Sequence, residues 1–515
     1  MSENFEMVAK TFQGLEGVLA DELTALGAQN VTQGRRMVAF SGNLEMLYRA
    51  NFCLRTALRV LKPIYKFRSV DADDLYEQVK QFDWDSVLHP DKTFSIDSTV
   101  YSETFRHSRF VTYRVKDAIA DYFREKYNRR PSIRLNSPDI KLDVHISQDE
   151  VTISLDSSGA PLYKRGWREA QTDAPINEVL AAGIILLSGW RGESDLIDPM
   201  CGSGTFLIEA ALIAANINPG VYRTDYAFQQ WPDYDRQLFE EIYNDDSGER
   251  EFKHKIYGYD IEGKAIAISR ANIKRAGLTK MIEVERKDIQ DLDQAPENGI
   301  LITNPPYGER LHPENIADLY RTLGEKLKRV FTGYHAWIIA PNNDITDHIG
   351  LRPSISYPLY NGDIECALKE YVMFKGSYNE MRRAGGHIKN ETFRRSDEPR
   401  RPRYSSFGKG EGDRRPPFKK GDDRDRRHDE RRFGKDRMHE RRDRQEGDNS
   451  RPGDLKERED FFHSPDFARQ VIKFREPTLG KDSERPIVKG RRNGWRRKGL
   501  DENGGGNTPE PTGEK

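Results

Sequence analysis

Cysteine is scarce in this 515-residue chain: Cys53, Cys201 and Cys366 are the three present, and they lie far apart. No pair has metal-ligand spacing and three scattered thiols make no disulfide framework, so no metal is expected and the setting is read as reduced and cytoplasmic. Long apolar runs are missing too. The longest, Val179 to Trp190, is too short to cross a bilayer. The opening Met-Ser-Glu-Asn-Phe-Glu-Met lacks a basic segment followed by an apolar one, which predicts no signal peptide and no membrane partner. Net charge is absent only on average, at a formal −1. From Met381 onward lie 38 of the 83 Lys and Arg and 27 of the 84 Asp and Glu. A body of about −12 therefore carries a tail of about +11. An acidic body still binds RNA wherever it gathers a local basic face.

The length predicts two to four domains. Residues 5 to about 45 open with a strand, Phe5 to Ala9, and a helix with a buried stripe of Leu15, Val18, Leu19, Leu23 and Leu26 that stops at Gly27. A second α+β unit runs to about 157. Its elements are a strand at Thr93 to Val100, a helix at Tyr113 to Tyr127, and a hairpin of Asp143 to Ile146 with Glu150 to Leu155. This second unit alternates strands and helices without a Gly-rich turn, so it reads as a binding module and not a second nucleotide site. From 158 to about 375, continuous apolar strands alternate with helices: Leu196-Ile197, Ile256 to Tyr259, Ile282 to Glu285, Gly299 to Thr303, Ala336 to Ala340 and Tyr371 to Phe374. Such strands need cover on both faces, which predicts an α/β, Rossmann-like domain with a parallel sheet between helix layers. The polar and aromatic stretch 219–255 is expected to be an insertion over the catalytic face. After about 380, Arg, Asp, Gly and Pro dominate and apolar periodicity stops, which predicts a disordered tail. Islands at Asp460 to Glu476 and Lys489 to Lys498 are candidates for ordering on a partner.

Asp195-Leu-Ile-Asp198 is an apolar strand ending in a carboxylate. Pro-Met-Cys201-Gly202-Ser-Gly204-Thr205 then leads into a helix with Phe206, Leu207, Ala210 and Ala211. A Gly-x-Gly turn lets a cofactor approach backbone at the positive end of a helix. A phosphate-reading Gly-x-Gly-x-x-Gly is absent, because position 207 is Leu. Asp260 and Asp288 follow the next two apolar strands. A carboxylate at the second strand end accepts from both ribose hydroxyls, and one at the third accepts from an adenine amino group. These features favour S-adenosyl-L-methionine over a dinucleotide, with Asp198 bearing on its methionine part directly or through water. The alternative for Asp260 and Asp288 is a helix N-cap or solvated turn. Asp260 lies beyond the ~20 residues expected after the glycines, so 219–255 must loop out.

Asn304-Pro305-Pro306-Tyr307 follows the strand Gly299 to Thr303, at a carboxyl end where ligands bind in such sheets. A base's exocyclic amine is a poor nucleophile because its lone pair is delocalised into the ring. The Asn304 side-chain oxygen and the Pro305 carbonyl can each accept one amine hydrogen, drawing the nitrogen toward tetrahedral geometry. Pro305 and Pro306 stiffen the turn, and Tyr307 offers a stacking surface for an extruded base. No strong general base is needed, since the nitrogen becomes acidic once methylated.

The chain resembles the THUMP-containing class I methyltransferases of ribosomal and transfer RNA over about residues 1 to 376. The similarity to bacterial 23S ribosomal RNA guanine-N2-methyltransferases is carried by Gly14-Leu-Glu-Gly-Val-Leu-Ala-Asp-Glu-Leu, His107-Ser-Arg109, Val115-Lys-Asp-Ala118 and Leu162-Tyr-Lys-Arg-Gly-Trp-Arg168. It continues in Ala174-Pro-Ile-Asn-Glu-Val-Leu180, Asp198 to Thr205, Trp231-Pro232 and Asn304-Pro-Pro-Tyr-Gly-Glu-Arg-Leu311. The resemblance implies a ferredoxin-like part at 1–45, a THUMP RNA-binding domain at 46–157, a methyltransferase domain at 158–380 and a tail at 381–515. It implies donor binding by Asp198, Gly202, Asp260 and Asp288, and base binding by Asn304, Pro305 and Tyr307; Cys201, Gly204 and Thr205 of the donor loop and Pro306 of the acceptor turn are further candidates in the same two motifs. The largest relatives fuse a second methyltransferase domain; residues 381–515 contain no second donor loop, so its activity is not carried over.

Arg106, Arg109, Arg114 and Lys116, with Arg124, Lys126, Arg129 and Arg130, surround the predicted THUMP helix as candidate phosphate contacts. Lys164, Arg165 and Arg168 stand in the connector between RNA-binding and catalytic domains and are expected to contact RNA. An ordinary solvated helix face is the competing reading. The tail either solubilises or grips RNA nonspecifically through Gly490-Arg-Arg-Asn-Gly-Trp-Arg-Arg-Lys498. The expected reaction is methylation of a guanine N2 in 23S ribosomal RNA. The alternatives are transfer RNA guanine N2 or adenine N6, and, in another class, a noncatalytic RNA-binding assembly factor.

Overall fold

The computed structural model describes residues 3–172, 175–307, 313–376, 383 and 391–392. The tail motifs at 400–404, 422–427, 460–476 and 489–498, together with Ala174 and residues 308–311, lie outside the described residues. Among the described residues, two eight-stranded sheets account for the body.

The first sheet is built from β1 (Phe5–Lys10), α1 (Glu16–Ala25), β2 (Gln29–Gly34), β3 (Met37–Gly42), α2 (Leu44–Cys53), β4 (Arg59–Arg68), α3 (Ala72–Gln81), β5 (Thr93–Tyr101), α4 (Ser108–Tyr127), β6 (Ser132–Ile133), β7 (Ile140–Ser147) and β8 (Glu150–Asp156). The strand order is β2-β3-β1-β4-β8-β7-β5-β6. Local chemistry sets the ends. Asn43 caps α2 by accepting from the Met46 amide, and Asp71 caps α3 by accepting from the Asp73 and Asp74 amides. Gly27, at φ +88°, takes the left-handed conformation that ends α1. Long β4 crosses the junction between the two α+β units: it pairs antiparallel with β1 on one side and with β8 on the other. The units therefore share one sheet.

The second sheet contains α5 (Glu178–Leu187), β9 (Asp195–Asp198), α6 (Thr205–Ala214), α7 (Arg236–Asn244), β10 (Ile256–Asp260), α8 (Gly263–Arg275), β11 (Ile282–Arg286), β12 (Gly299–Thr303), α9 (Pro313–Arg329), β13 (His335–Pro341), β14 (Ile355–Asn361), β15 (Ile364–Val372) and β16 (Glu391–Thr392). The order is β11-β10-β9-β12-β13-β15-β14-β16, parallel from β11 to β13. Both faces are covered, as continuous apolar strands require. Leu196, Ile300, Ile302, Trp337 and Ile339 enter the core with α5 and α6, while Ile197, Leu301, Ala336 and Ile338 enter the core with α9.

Two expectations need correction. The last strand is not Tyr371 to Phe374: β15 starts at Ile364, ends at Val372, and runs antiparallel to β13 and β14. Hairpin pairing, not a local apolar run, sets its length. Pro358 disguises β14 as a loop, and is tolerated because β16 flanks β14 only at Ile355 and Ser356. The 219–255 insertion also does not cover the catalytic face. Its Tyr226, Phe228, Trp231, Phe239 and Ile242 join the core of the first sheet with Leu47, Tyr48 and Phe52. Phe228 stacks on Tyr48 at 4.5 Å, and Phe239 meets Phe228 edge-on at 5.1 Å. These rings bury apolar area against α2 that they would leave wet above the sheet. The detour also explains the late arrival of Asp260: the chain returns to place β10 directly beside β9.

Candidate active site

Adjacent parallel strands bring the acidic and amide residues together. In register, Gly258 lies beside Asp198, Arg286 beside Asp260, and Leu301 beside Ile197. Asp260 is two residues beyond Gly258, Asp288 two beyond Arg286, and Asn304 three beyond Leu301. Asp198, Asp260, Asp288 and Asn304 thus leave the carboxyl ends of four neighbouring strands. They line one cavity of about 1160 Å³ with Cys201, Gly202, Thr205, Pro305, Pro306 and Tyr307. That volume is ample for a nucleoside-sized ligand.

The loop between β9 and α6 is held from beneath. The Cys201 amide donates to the Tyr259 carbonyl at 2.8 Å, and the Gly202 amide donates to Asp260 Oδ2 at 2.9 Å. Ser269 and Asn272 of α8 grip the same turn: Ser269 Oγ donates to the Gly202 carbonyl at 3.0 Å, and Asn272 Nδ2 to the Ser203 carbonyl at 3.0 Å. Gly204 sits at φ +80°, and a Cβ there would meet Ser269 Oγ at 2.7 Å, so a side chain is excluded twice. At Gly202, also at positive φ, a Cβ would meet only Thr172 Oγ1, at 3.9 Å. Gly202 therefore presents backbone to the cavity.

Each carboxylate has a different environment. Asp198 is buried; it accepts from Thr303 Oγ1 at 2.8 Å and from the Met200 amide at 3.1 Å. Burial pushes its carboxyl up to about 7, those hydrogen bonds oppose the rise, and the charge of Asp260 adds to it. Half-buried Asp260 also accepts from the Glu262 amide at 2.9 Å. Two of its roughly four lone-pair sites remain for ribose hydroxyls. Asp288 caps a short 3₁₀ turn by accepting from the Gln290 amide, so the bland cap reading is true of one oxygen while the residue still lines the cavity. Cys201 is buried with its sulfur 3.9 Å from Ser269 Oγ, and burial pushes the thiol well up.

On the acceptor side, Asn304 Oδ1 is buried and has no hydrogen-bond partner among the described residues. Leaving such an acceptor unmet costs about 1–3 kcal/mol, which a ligand amine hydrogen restores. Pro305 is buried, and the half-buried Tyr307 hydroxyl accepts from Asn361 Nδ2 at 2.6 Å.

The connector cations divide. Lys164 is exposed, but Arg165 does not reach RNA: it is 2% exposed, pairs with buried Glu209 of α6 and donates to the Leu162 and Arg55 carbonyls. A cation wedged between domains finds its partners inside the protein. Arg168 also turns inward, donating to Glu178 Oε1, Ser203 Oγ and Thr205 Oγ1 at 2.7, 3.0 and 2.9 Å. It braces the donor loop. Arg106, just before α4, and Arg109 on its first turn are exposed. Arg114 is tied to Asp73 and stacks on Tyr76, and Lys116 pairs with Asp117. Arg124, Lys126 and Arg129 pair with Asp121, Asp85 and Asp91, so much of this basic set is neutralised locally. Sequence reasoning missed Thr303, Ser269, Asn272 and Asn361, whose roles depend on contacts between strands and helices distant in sequence. Among the described residues, no three His, Cys, Asp or Glu side chains gather as a metal site, and no helix is long and apolar enough to cross a membrane.

A class I methyltransferase sheet, with a donor loop and an Asn-Pro-Pro-Tyr turn on one cavity, is joined here to a ferredoxin-like and THUMP module. Comparison with known proteins agrees. Residues 165–370 match the family described as RMKL-like, methyltransferase domain; residues 69–156 match the THUMP domain; residues 6–61 match the RlmL ferredoxin-like domain. A Synechocystis chain named "Putative RNA methyltransferase slr0064" is 38% identical over 369 residues, 71% of this chain and 96% of that one. The Ribosomal RNA large subunit methyltransferase K/L of Syntrophotalea carbinolica is 41% identical over 72% of this chain but 54% of its own length. The chain spans about half the length of the K/L relatives it matches. The crystal structure of SMU.472 complexed with SAH superposes with a TM-score of 0.65 at 31% identity, covering 73% of this chain and 100% of that one. The chain belongs to the THUMP-domain class I RNA methyltransferases that use S-adenosyl-L-methionine.

Proposed function

We propose that this chain methylates the exocyclic N2 amine of a guanine in large-subunit ribosomal RNA, in the cytoplasm. The observation that carries the acceptor assignment is the unmet Asn304 oxygen at the end of β12, on the cavity that the donor loop shares. Bound S-adenosyl-L-methionine supplies an electrophilic methyl group. Around it, Asp260 holds the ribose, Asp288 the adenine amino group, Asp198 the methionine part, and Cys201, Gly202, Gly204 and Thr205 shape the loop. Asn304 Oδ1 and the Pro305 carbonyl each accept a hydrogen bond from the base's amine, which aims the nitrogen lone pair at the methyl, while Pro306 stiffens the turn and Tyr307 stacks; the nitrogen sheds one proton to solvent once methylated. In this reading residues 1–45 and 46–157 capture RNA, with Arg106, Arg109 and Lys164 as the most available cations. Residues 158–380 perform the transfer, and 381–515 add a solubilising or RNA-gripping tail. The names of the K/L relatives support the ribosomal substrate.

The test is mass-spectrometric mapping of methylated nucleosides in ribosomal and transfer RNA with and without the gene. Loss of 2-methylguanosine from one 23S fragment is expected. Loss from transfer RNA, or of 6-methyladenosine, keeps the site and changes the substrate; no loss favours the noncatalytic assembly factor.

Asp198 makes donor binding depend on pH. Its folded value of about 7 stands above the ordinary 3.8. Between those values the unfolded chain ionises first, so the empty protein loses stability as pH rises from about 4 to about 7. Cationic donor favours the ionised form, so its affinity rises with pH up to about 7, by at most about tenfold per unit, and then levels off. Calorimetric titration with S-adenosyl-L-methionine from pH 5.5 to 8.5 checks this, and Asp198→Asn should flatten the profile. An affinity that fell with pH would remove Asp198 from the donor's charged part.

A further inference from the structure

The acceptor side of the cavity has a second wall that no sequence motif announces. The β14–β15 hairpin reverses at Gly362-Asp363, setting Asn361 opposite Ile364 in register. Asn361, Gly362 and Ile364 all line the cavity that Asn304 and Tyr307 line. Asn361 Nδ2 donates to the Tyr307 hydroxyl at 2.6 Å across 54 positions of sequence. Beyond it lies the Cys366 thiol, which burial raises and which hydrogen bonds from the Asn361 backbone and the Tyr307 hydroxyl lower. Ile364 is 47% exposed, an apolar side chain on the lining of this cavity that the protein leaves uncovered.

A tyrosine ring turns about two side-chain bonds, and its backbone here follows two prolines. The Asn361 bond fixes the far end of the ring as well. A ring pinned at both ends presents one plane to an incoming base, so its ordering cost is met before RNA arrives. Stacking on such a ring holds a base by its face, whatever its sequence context. It aids methyl transfer only if the stacked base places its amine against Asn304, where small displacements are costly.

We propose that Asn361 is a positioning residue for methyl transfer: acting through the Tyr307 hydroxyl, it orients the ring on which the extruded base stacks, with Ile364 as the apolar rim of the same base site. The inference rests on the proposed base-methylation reading. Among the described residues, Asn361 makes no side-chain hydrogen bond to Asn304 or to the donor loop, so its effect passes through Tyr307.

The experiment uses the full chain, radiolabelled S-adenosyl-L-methionine, and ribosomal and transfer RNA from cells lacking the gene. Asn361→Ala and Tyr307→Phe remove the same bond from opposite ends; the second changes no hairpin residue but also loses the hydroxyl's contact with the Cys366 thiol. Each should lower kcat by about tenfold while donor affinity and melting temperature stay at wild-type values. Because Tyr307→Phe already lacks the bond that Asn361→Ala removes, the double variant should be no slower than Tyr307→Phe alone. Asn361→Asp, which can accept from the phenol, should recover most of the rate. Asn361→Ala or Tyr307→Phe at wild-type kcat overturns the inference, as does a double variant whose loss is the product of the single ones. A wild-type chain that methylates neither RNA overturns the underlying reading instead.

Discussion

Asn304→Ala is expected to lower kcat by about 10²- to 10³-fold, the cost typical of removing one preorganised polar contact from a transition state. Donor affinity should change by less than about twofold, because the donor carboxylates leave other strands. The same variant should melt at or above the wild-type temperature. Its Oδ1 is buried without a partner among the described residues, and deleting an unmet buried acceptor removes a penalty of about 1–3 kcal/mol. Lost turnover with retained or improved stability separates a reacting group from a structural one. Single-turnover methylation at saturating donor, with thermal melting on the same preparation, checks both halves. Unchanged turnover would take Asn304 out of the mechanism; a large drop in melting temperature would make it a structural residue.

Asp260→Ala should instead weaken S-adenosyl-L-methionine binding by roughly 10²-fold or more, since hydrogen bonds to a charged group are each worth about 1.5–3 kcal/mol. Its carboxylate serves two ends. It holds the Gly202 and Glu262 amides, each at 2.9 Å, and it has lone pairs left for a ribose. Raising the donor concentration should restore most of the turnover of this variant and little of that of Asn304→Ala. Titration calorimetry and initial rates at graded donor concentration measure the difference. A variant that bound donor normally would reduce Asp260 to a loop fastener.

The legible part of this protein lies in short-range pattern. The strand Asp195–Asp198, its glycine turn and α6 are contiguous, and the need for glycine at 202 and 204 can be read from residue type, although only packing shows that Gly202 faces the cavity and Gly204 abuts Ser269. Asn304 to Tyr307 is legible for the same reason: two prolines and an amide at a strand end leave few conformations. Arg165 and Arg168 show where such reading stops. Both are cations in a connector, and only packing reveals that Arg165 faces Glu209 and that Arg168 faces Glu178, Ser203 and Thr205. The 219–255 segment was equally opaque, because a run of aromatic residues does not say which domain it will bury against.

The sequence by itself determined the two α+β modules, the parallel sheet, the donor loop and the acceptor turn, since each depends on periodicity or backbone freedom within a few residues. Tertiary structure alone decided that Asp198, Asp260, Asp288 and Asn304 share one cavity, that Asn361 reaches Tyr307, and which basic residues stay available. Those facts depend on strand order and on pairs separated by tens of residues. Burial and hydrogen-bond partners at such separations arise only when the whole chain has closed.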